Sequence, residues 1–152
     1  NRETIESQID NEITLSEARK SEMAVLFIDV DDFKHYNDQY SHATGDQVLK
    51  FVARTIKGTV NEFGFAGRYG GDEFIACIRN AEINDPTRAA QDIISKLEEG
   101  FECDGVHLTV SVSIGISMIK DDYNTRVEYI IGKADDAMYS VKKNGKSNYA
   151  FI

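Results

Sequence analysis

Five residues, Gly70-Gly71-Asp72-Glu73-Phe74, set two carboxylates directly behind two glycines. Apolar residues flank them in Arg68-Tyr69-Gly70-Gly71-Asp72-Glu73-Phe74-Ile75-Ala76-Cys77-Ile78, so the string reads as a β-hairpin with Gly70-Gly71 at its tip. Glycine accepts φ > 0 and carries no side chain, which lets a phosphate or a base lie against the backbone there. Two acids at such a tip suit a hard metal ion, which prefers oxygen ligands. Taken alone, the string also fits an ordinary glycine turn with solvated acids. A second acidic group lies in Phe27-Ile28-Asp29-Val30-Asp31-Asp32-Phe33-Lys34-His35-Tyr36-Asn37-Asp38. Asp29 follows an apolar run, and a carboxylate carried into a sheet is costly unless it is paired or bound to a cation. Asp31 and Asp32 stand where helix-capping acids stand. If the strand over 23–30 neighbours the hairpin, Asp29 and Asp72 face each other across adjacent strand ends. Carboxylates from separate strands, holding divalent metals over a phosphate, are the working part of two-metal phosphoryl transfer.

Two further groups have residue types that read nucleotides. In Asn37, His42 and Gly45-Asp46, the Asp46 carboxylate can accept two hydrogen bonds from the N1 and N2 groups of guanine. The Asn37 amide can both donate and accept. Adenine lacks that donor pair, so such a site would select guanine. By position Asp46 also suits a helix cap. Lys142 and Lys146 flank Asn144-Gly145 at the end of the last helix, where cations complement the helix dipole; they gain a role if that end faces phosphates.

The elements that must carry these groups follow from periodicity. Ile5, Ile9 and Ile13 put an apolar stripe on a first helix running to about Arg19. Met23 to Val30 is a continuous apolar run, as expected of a buried strand. Phe33 to Tyr40 and Val48 to Gly58 read as helices, with Thr44-Gly45-Asp46 as a break and cap between them. Phe63 to Tyr69 and Phe74 to Ile78 are the hairpin arms. Asp85-Pro86 opens a helix to Glu99, and Asp104-Gly105 signals a second hairpin. Val110, Val112, Ile114 and Ile116 alternate with small or polar residues, a period-2 strand. Val127 to Lys143 reads as helix, stopped by Asn144-Gly145, and Tyr149 to Ile152 as a short last strand. This order gives an α+β fold, an antiparallel or mixed sheet with helices packed on it.

At 152 residues the chain is expected to form one domain with a sizeable core. No apolar run approaches the roughly 20 residues that span a bilayer, and no signal peptide is visible. The net charge of −9 argues against a nucleic-acid backbone as partner, yet permits one nucleotide balanced by metal and local lysines. Cys77 and Cys103 lie in contexts of reduced core cysteines, which favours the cytoplasm. The abrupt helical start at Asn1-Arg2 is read as a piece of something longer.

These residues carry a resemblance. The chain resembles a GGDEF domain, the diguanylate cyclase family, along nearly its whole length. The matching strings are Phe27-Ile28-Asp29-Val30-Asp31-Asp32-Phe33-Lys34 with Asn37-Asp38, His42-Ala43-Thr44-Gly45-Asp46 with Leu49, Arg68 to Phe74, Val112-Ser113-Ile114-Gly115, and Ala134-Asp135-Asp136-Ala137-Met138-Tyr139 with Lys142, Asn144, Gly145 and Lys146. The resemblance implies a single domain over 1–152, the C-terminal catalytic piece of a longer signalling protein. It implies a central, mostly antiparallel five-stranded sheet with flanking helices, akin to the polymerase palm and nucleotide cyclases with their ferredoxin-like core. The implied reaction joins two GTP into cyclic di-GMP with release of two pyrophosphates. Asp29, the Val30 carbonyl, Asp72 and Glu73 would hold Mg2+ or Mn2+, two ions per half-site, and Asp72 would help deprotonate the 3′-hydroxyl. Asn37 and Asp46 would read guanine, with His42 lining the pocket. Lys34 would steady the reacting phosphate, Lys142 and Lys146 the outer ones, and backbone amides near Asp32 and Phe33 would reach phosphate as a helix N-terminus does. Two domains would have to meet for turnover, the isolated chain being largely monomeric. No membrane contact by the domain is implied.

Three departures from the family pattern stand out. The Arg-x-x-Asp motif of product inhibition is replaced by Asn61-Glu62-Phe63-Gly64. Ser41 stands where a glycine precedes the histidine, and Lys146 replaces an arginine, keeping charge without the bidentate fork. The alternative function is an inactive module that binds GTP or cyclic di-GMP as a sensor; a relaxed base specificity is a further one, against which Asp46 speaks.

Overall fold

The computed structural model describes the whole chain, Asn1 to Ile152. Twelve elements follow in the order α1 (Arg2–Arg19), β1 (Met23–Val30), α2 (Phe33–Gln39), α3 (His42–Val60), β2 (Gly64–Arg68), β3 (Glu73–Arg79), α4 (Pro86–Glu99), β4 (Phe101–Cys103), β5 (Val106–Leu108), β6 (Val112–Ile119), α5 (Val127–Lys143) and β7 (Tyr149–Phe151). Five strands form one sheet in the order β2-β3-β1-β6-β7. Every pairing in it is antiparallel except β6 with β7. The expected α+β class and mostly antiparallel five-stranded sheet are therefore what the chain adopts. β4 and β5 make a separate ribbon around Asp104-Gly105, whose φ values of 50° and 79° give the left-handed pair that a two-residue hairpin needs.

Alternation along β1 divides the core. Ala24, Leu26, Ile28 and Val30 face α3 and α4, while Met23, Val25 and Phe27 face α1 and α5. Ile5, Ile9 and Ile13 of α1 are buried in the second of these layers, as their spacing predicts. Asp29 has the parity of Phe27 and so belongs to the α5 side.

Local chemistry sets two boundaries differently from the sequence reading. α3 begins at His42, not Val48: Ser41 Oγ accepts from the Thr44 amide at 3.1 Å and caps the helix. Thr44-Gly45-Asp46 lies inside the first turns of α3, so Asp46 neither breaks nor caps it. β6 begins at Val112, because the Val110 amide leaves the sheet to donate to the Leu97 carbonyl at 3.0 Å. No helix is long and apolar enough to cross a membrane.

Candidate active site

Register places the acids. Asp29 pairs with Glu73 on β3 and with Ser113 on β6, so Glu73, Asp29 and Ser113 form a row across three strands at one end of the sheet. The hairpin tip closes that end, with the Val30 amide donating to the Asp72 carbonyl at 3.1 Å. The expected meeting of strand 23–30 with the hairpin thus occurs, Glu73 rather than Asp72 standing directly opposite Asp29. Neither Gly70 nor Gly71 has positive φ. What Gly70 supplies is space: a Cβ there would sit 2.2 Å from Glu73 Oε1, so the Glu73 carboxylate lies over it. Arg68 ties the tip down, donating from Nε to the Gly70 carbonyl at 3.2 Å and from Nη2 to the Gly71 carbonyl at 2.6 Å.

Lys142, in the last turn of α5, reaches into this end of the sheet. Its Nζ lies 3.2 Å from Asp29 Oδ2 and 3.1 Å from Asp31 Oδ1, and donates to the Val30 carbonyl at 3.3 Å. Asp29 Oδ1 is buried and has no hydrogen-bond partner. Burial pushes the Asp29 carboxyl up to about 6; Lys142 opposes this and the Asp72 and Glu73 charges add to it. Burial, then Asp135 and Asp72, raises Glu73. Burial works against the Lys142 charge, but Asp29 and Asp31 outweigh it and raise that pKa. The end of the sheet is an electrostatically frustrated acidic pocket with one internal cation.

That chemistry fits a divalent metal. Asp29, Asp72, Glu73 and the Val30 carbonyl offer hard oxygen donors, and the buried Asp29 Oδ1 has no partner within the protein. No three acidic, histidine or cysteine side chains close into a complete cage. Mg2+ keeps several waters and shares its shell with substrate phosphates, so an open site of this kind suits it.

Around the acids lie the other residues singled out from the sequence. Asp46, exposed on α3, lines a groove of about 390 Å³ between α3 and β2 together with Leu49, Lys50, Arg68 and Phe74. Asn37 packs against Gly45 beside it: a Cβ at position 45 would come 2.0 Å from Asn37 Oδ1, so only glycine leaves room for the carboxamide. The structure therefore brings Asn37 and Asp46 to one neighbourhood. His42, exposed at the start of α3, is not among the residues lining that groove. Asp32 occupies the N-cap position of α2 at φ 53° without a side-chain cap bond, and Asp31 does not cap either; the capping role expected for at least one of them is not used. Asp32 instead accepts from Lys146 Nζ at 2.9 Å. Phe33 is half-buried at the start of α2, and Lys34 is exposed and makes no ion pair. A cavity of about 480 Å³ bounded by Asp31, Asp32, His35, Tyr36 and Ser111 opens beside them. A larger cavity of about 610 Å³ lies near Ala81, Met118 and Ile119, at the opposite end of β1 from Asp29.

With this geometry in view, the family is decided by comparison. The family model for "Diguanylate cyclase, GGDEF domain" matches residues 1–148. The chain belongs to the GGDEF family. Diguanylate cyclase A of Treponema denticola is 38% identical over 136 residues, covering 89% of this chain and 36% of that protein. Diguanylate cyclase DosC of Escherichia coli is 34% identical over 151 residues, covering 97% of this chain and 32% of DosC. The GGDEF domain thus spans about a third of the length of these curated relatives. Among solved structures, the GGDEF domain of YfiN (TpbB) from Pseudomonas aeruginosa superposes with a TM-score of 0.92 at 31% identity, covering 100% of this chain and 95% of that one.

Sequence reasoning missed Arg68 as the tether of the tip and Asp31 as a buried hub. The signal for the hub was present in Ser113, on a strand whose other face is apolar, and in Ser111 just before that strand. Their partner, some eighty positions earlier, was not visible.

Proposed function

We propose that this GGDEF domain condenses two GTP into cyclic di-GMP and two pyrophosphates, on the cytoplasmic side where GTP is available. The observation that carries this reading is the buried, unpartnered Asp29 Oδ1 in register with Glu73 beside the hairpin tip. In each transfer the 3′-oxygen of one GTP attacks the α-phosphorus of the other. The bond from that phosphorus to the bridging oxygen breaks, pyrophosphate departs, and the hydroxyl proton passes to Asp72. A second transfer closes the ring. Asp29, the Val30 carbonyl, Asp72 and Glu73 would hold Mg2+ or Mn2+, two per half-site. Bound there, the ions supply charge stabilisation at the reacting phosphate. Lys34 steadies the same phosphate, Lys142 and Lys146 hold the outer ones, and the amides near Asp32 and Phe33 add donors at the start of α2. Incubating a forced dimer with GTP and Mg2+ and identifying products by chromatography tests the reading. Cyclic di-GMP, abolished by chelator, is expected; GTP bound but unchanged would instead favour a sensor module.

Base selection follows from Asn37 and Asp46. Asp46→Ser is expected to weaken GTP binding by roughly 5- to 150-fold, the scale of about 1–3 kcal/mol for a lost buried partner, and to let ATP compete better. Binding competition between the two nucleotides reads this directly. An unchanged GTP/ATP preference removes Asp46 from the base site.

Product feedback should differ from relatives that keep Arg-x-x-Asp. Asn61 and Gly64 supply neither charge, and the backbone opposes restoring one: a Cβ at Gly64 would lie 2.0 Å from the Cys77 carbonyl on β3. Added cyclic di-GMP is therefore expected to inhibit only in competition with GTP. Noncompetitive inhibition in initial-rate plots would show a second product site.

A further inference from the structure

Asp29 and Asp31 stand two apart, an acidic pair that the sequence leaves equivalent, and the structure separates them. One Asp29 oxygen has no partner, whereas both Asp31 oxygens are saturated by the chain itself. Asp31 Oδ1 accepts from Ser113 Oγ at 2.6 Å and lies 3.1 Å from Lys142 Nζ. Asp31 Oδ2 accepts from Ser111 Oγ at 2.5 Å and from the Ser147 amide at 3.1 Å. The side chain is 2% exposed, against 17% for Asp29. Four donors fill the acceptor capacity of a carboxylate, so Asp31 has little left to offer a metal.

Two of those donors, Lys142 and the Ser147 amide, share a place at the end of α5. Lys142 lies in the last turns of α5, and Ser147 closes the turn that follows. Gly145, Lys146 and Ser147 have φ of 107°, 62° and 47°, three successive left-handed residues, two of them not glycine. Such a turn is costly by itself and persists where surrounding contacts over-determine it. Asp31 makes one of those contacts from the end of β1, and Asp32 makes another through Lys146. Both lysines assigned above to the outer phosphates therefore depend on this corner for their direction.

We infer that Asp31 is a positioning residue that fixes the α5 C-terminus and the 145–147 turn so that Lys142 and Lys146 address the β- and γ-phosphates of the nucleotide. This rests on the proposed GTP site and deepens it: the hub sets discrimination for a nucleoside triphosphate over a monophosphate, separately from base recognition by Asn37 and Asp46.

The test compares wild type and Asp31→Asn by calorimetric binding of 3′-deoxy-GTP, which cannot cyclise, and of GMP, each with Mg2+. Amide hydrogen exchange over 142–148 is followed in parallel. In Asp31→Asn, affinity for 3′-deoxy-GTP is expected to fall at least tenfold, affinity for GMP to stay within twofold, and exchange at 142–148 to accelerate while β3 stays protected. Triphosphate preference kept within threefold overturns the inference. So does a tenfold loss with unchanged exchange at 142–148, which would make Asp31 act as a metal ligand. Should Asp31→Asn not fold, Ser111→Ala with Ser113→Ala keeps the charge and frees the carboxylate from β6. A smaller loss in the same direction is then expected, and no loss overturns the inference. Wild type that binds GMP but gains nothing from the added phosphates defeats the inference alone; wild type that binds neither nucleotide defeats the GTP reading itself.

Discussion

In a dimerised form of the domain, Asp29→Asn and Asp72→Asn are each expected to remove cyclic di-GMP formation to the detection limit. Both substitutions take a negative charge from the same cluster, and an amide cannot replace a carboxylate opposite a divalent cation. Metal stabilisation of a transferring phosphoryl group is worth several kcal/mol, so a loss of about 4 kcal/mol lowers the rate by about 10³-fold. Folding should survive, because Lys142 keeps Asp31 and the Val30 carbonyl as partners when Asp29 is neutralised. Stability gives an independent check. The Asp29 pKa rises from 3.8 to about 6 on folding, so between those values the folded state binds more protons than the unfolded one. Stability therefore falls as pH rises through that window, and the penalty is fully present above it. Asn carries no such penalty. With chelator present, Asp29→Asn should melt above wild type at pH 7.5, and the gain should shrink through the window and vanish below about pH 3, where both states are protonated. Added Mn2+ should raise the wild-type melting temperature and leave the variant behind. Normal turnover by either variant would remove the metal assignment.

The contrast between Asp29 and Asp31 shows where sequence reading stops. Periodicity carried the strand ending at Val30, the stripe on α1 and the whole of α5, because each is a statement about neighbours a few positions apart. The Asp104-Gly105 hairpin was legible for the same reason, since the turn chemistry is local. Which aspartate of the pair keeps an unpartnered oxygen is not a local property. It depends on whether Ser111, Ser113 and Ser147 arrive beside it, and they come from other elements. The Thr44-Gly45-Asp46 string misled because it has the composition of a cap, while the hydroxyl of Ser41, just upstream, is the group that reaches the free amide. At the hairpin tip the two glycines were read for positive φ, which neither has. Gly70 is needed because Glu73 folds over it, a contact between residues close in sequence but set by the register of β2 with β3. Lys142 was placed by its helix end and assigned to phosphate. Its position on Asp29 and Asp31 follows from α5 lying on the sheet face where both acids emerge. Arg68 has the same explanation: its role is invisible until the tip carbonyls turn toward it.

Assembly should dominate the measured activity of this domain. The proposed reaction joins two identical nucleotides, yet the chain has one copy of each motif, so one domain would offer one half-site and turnover is expected to need two facing each other across a two-fold axis. Orienting both reactants supplies much of the rate, since well-placed pairs reach effective molarities on the order of 10⁵ M or more. The net charge of −9 opposes approach of two such surfaces, and no long heptad repeat lies within the chain to hold them. A largely monomeric domain in dilute solution is therefore expected, with specific activity rising with protein concentration. The start of α1 is well placed for control of that encounter: the Arg2 guanidinium lies 4.1 Å from the Tyr69 ring centroid, and Tyr69 donates to Glu6 Oε2 at 2.9 Å, next to the hairpin tip. A parallel coiled coil fused ahead of Asn1 would thus bring two half-sites together from the side of the tip. Tethers of this kind raise effective concentration to the mM range, so at μM protein the gain could reach about 10³-fold and specific activity should become nearly independent of concentration. Sedimentation equilibrium and initial rates over the same concentration series decide the matter. A strictly linear dependence of rate on concentration, in protein shown to sediment as a monomer, would mean that one domain completes the reaction alone.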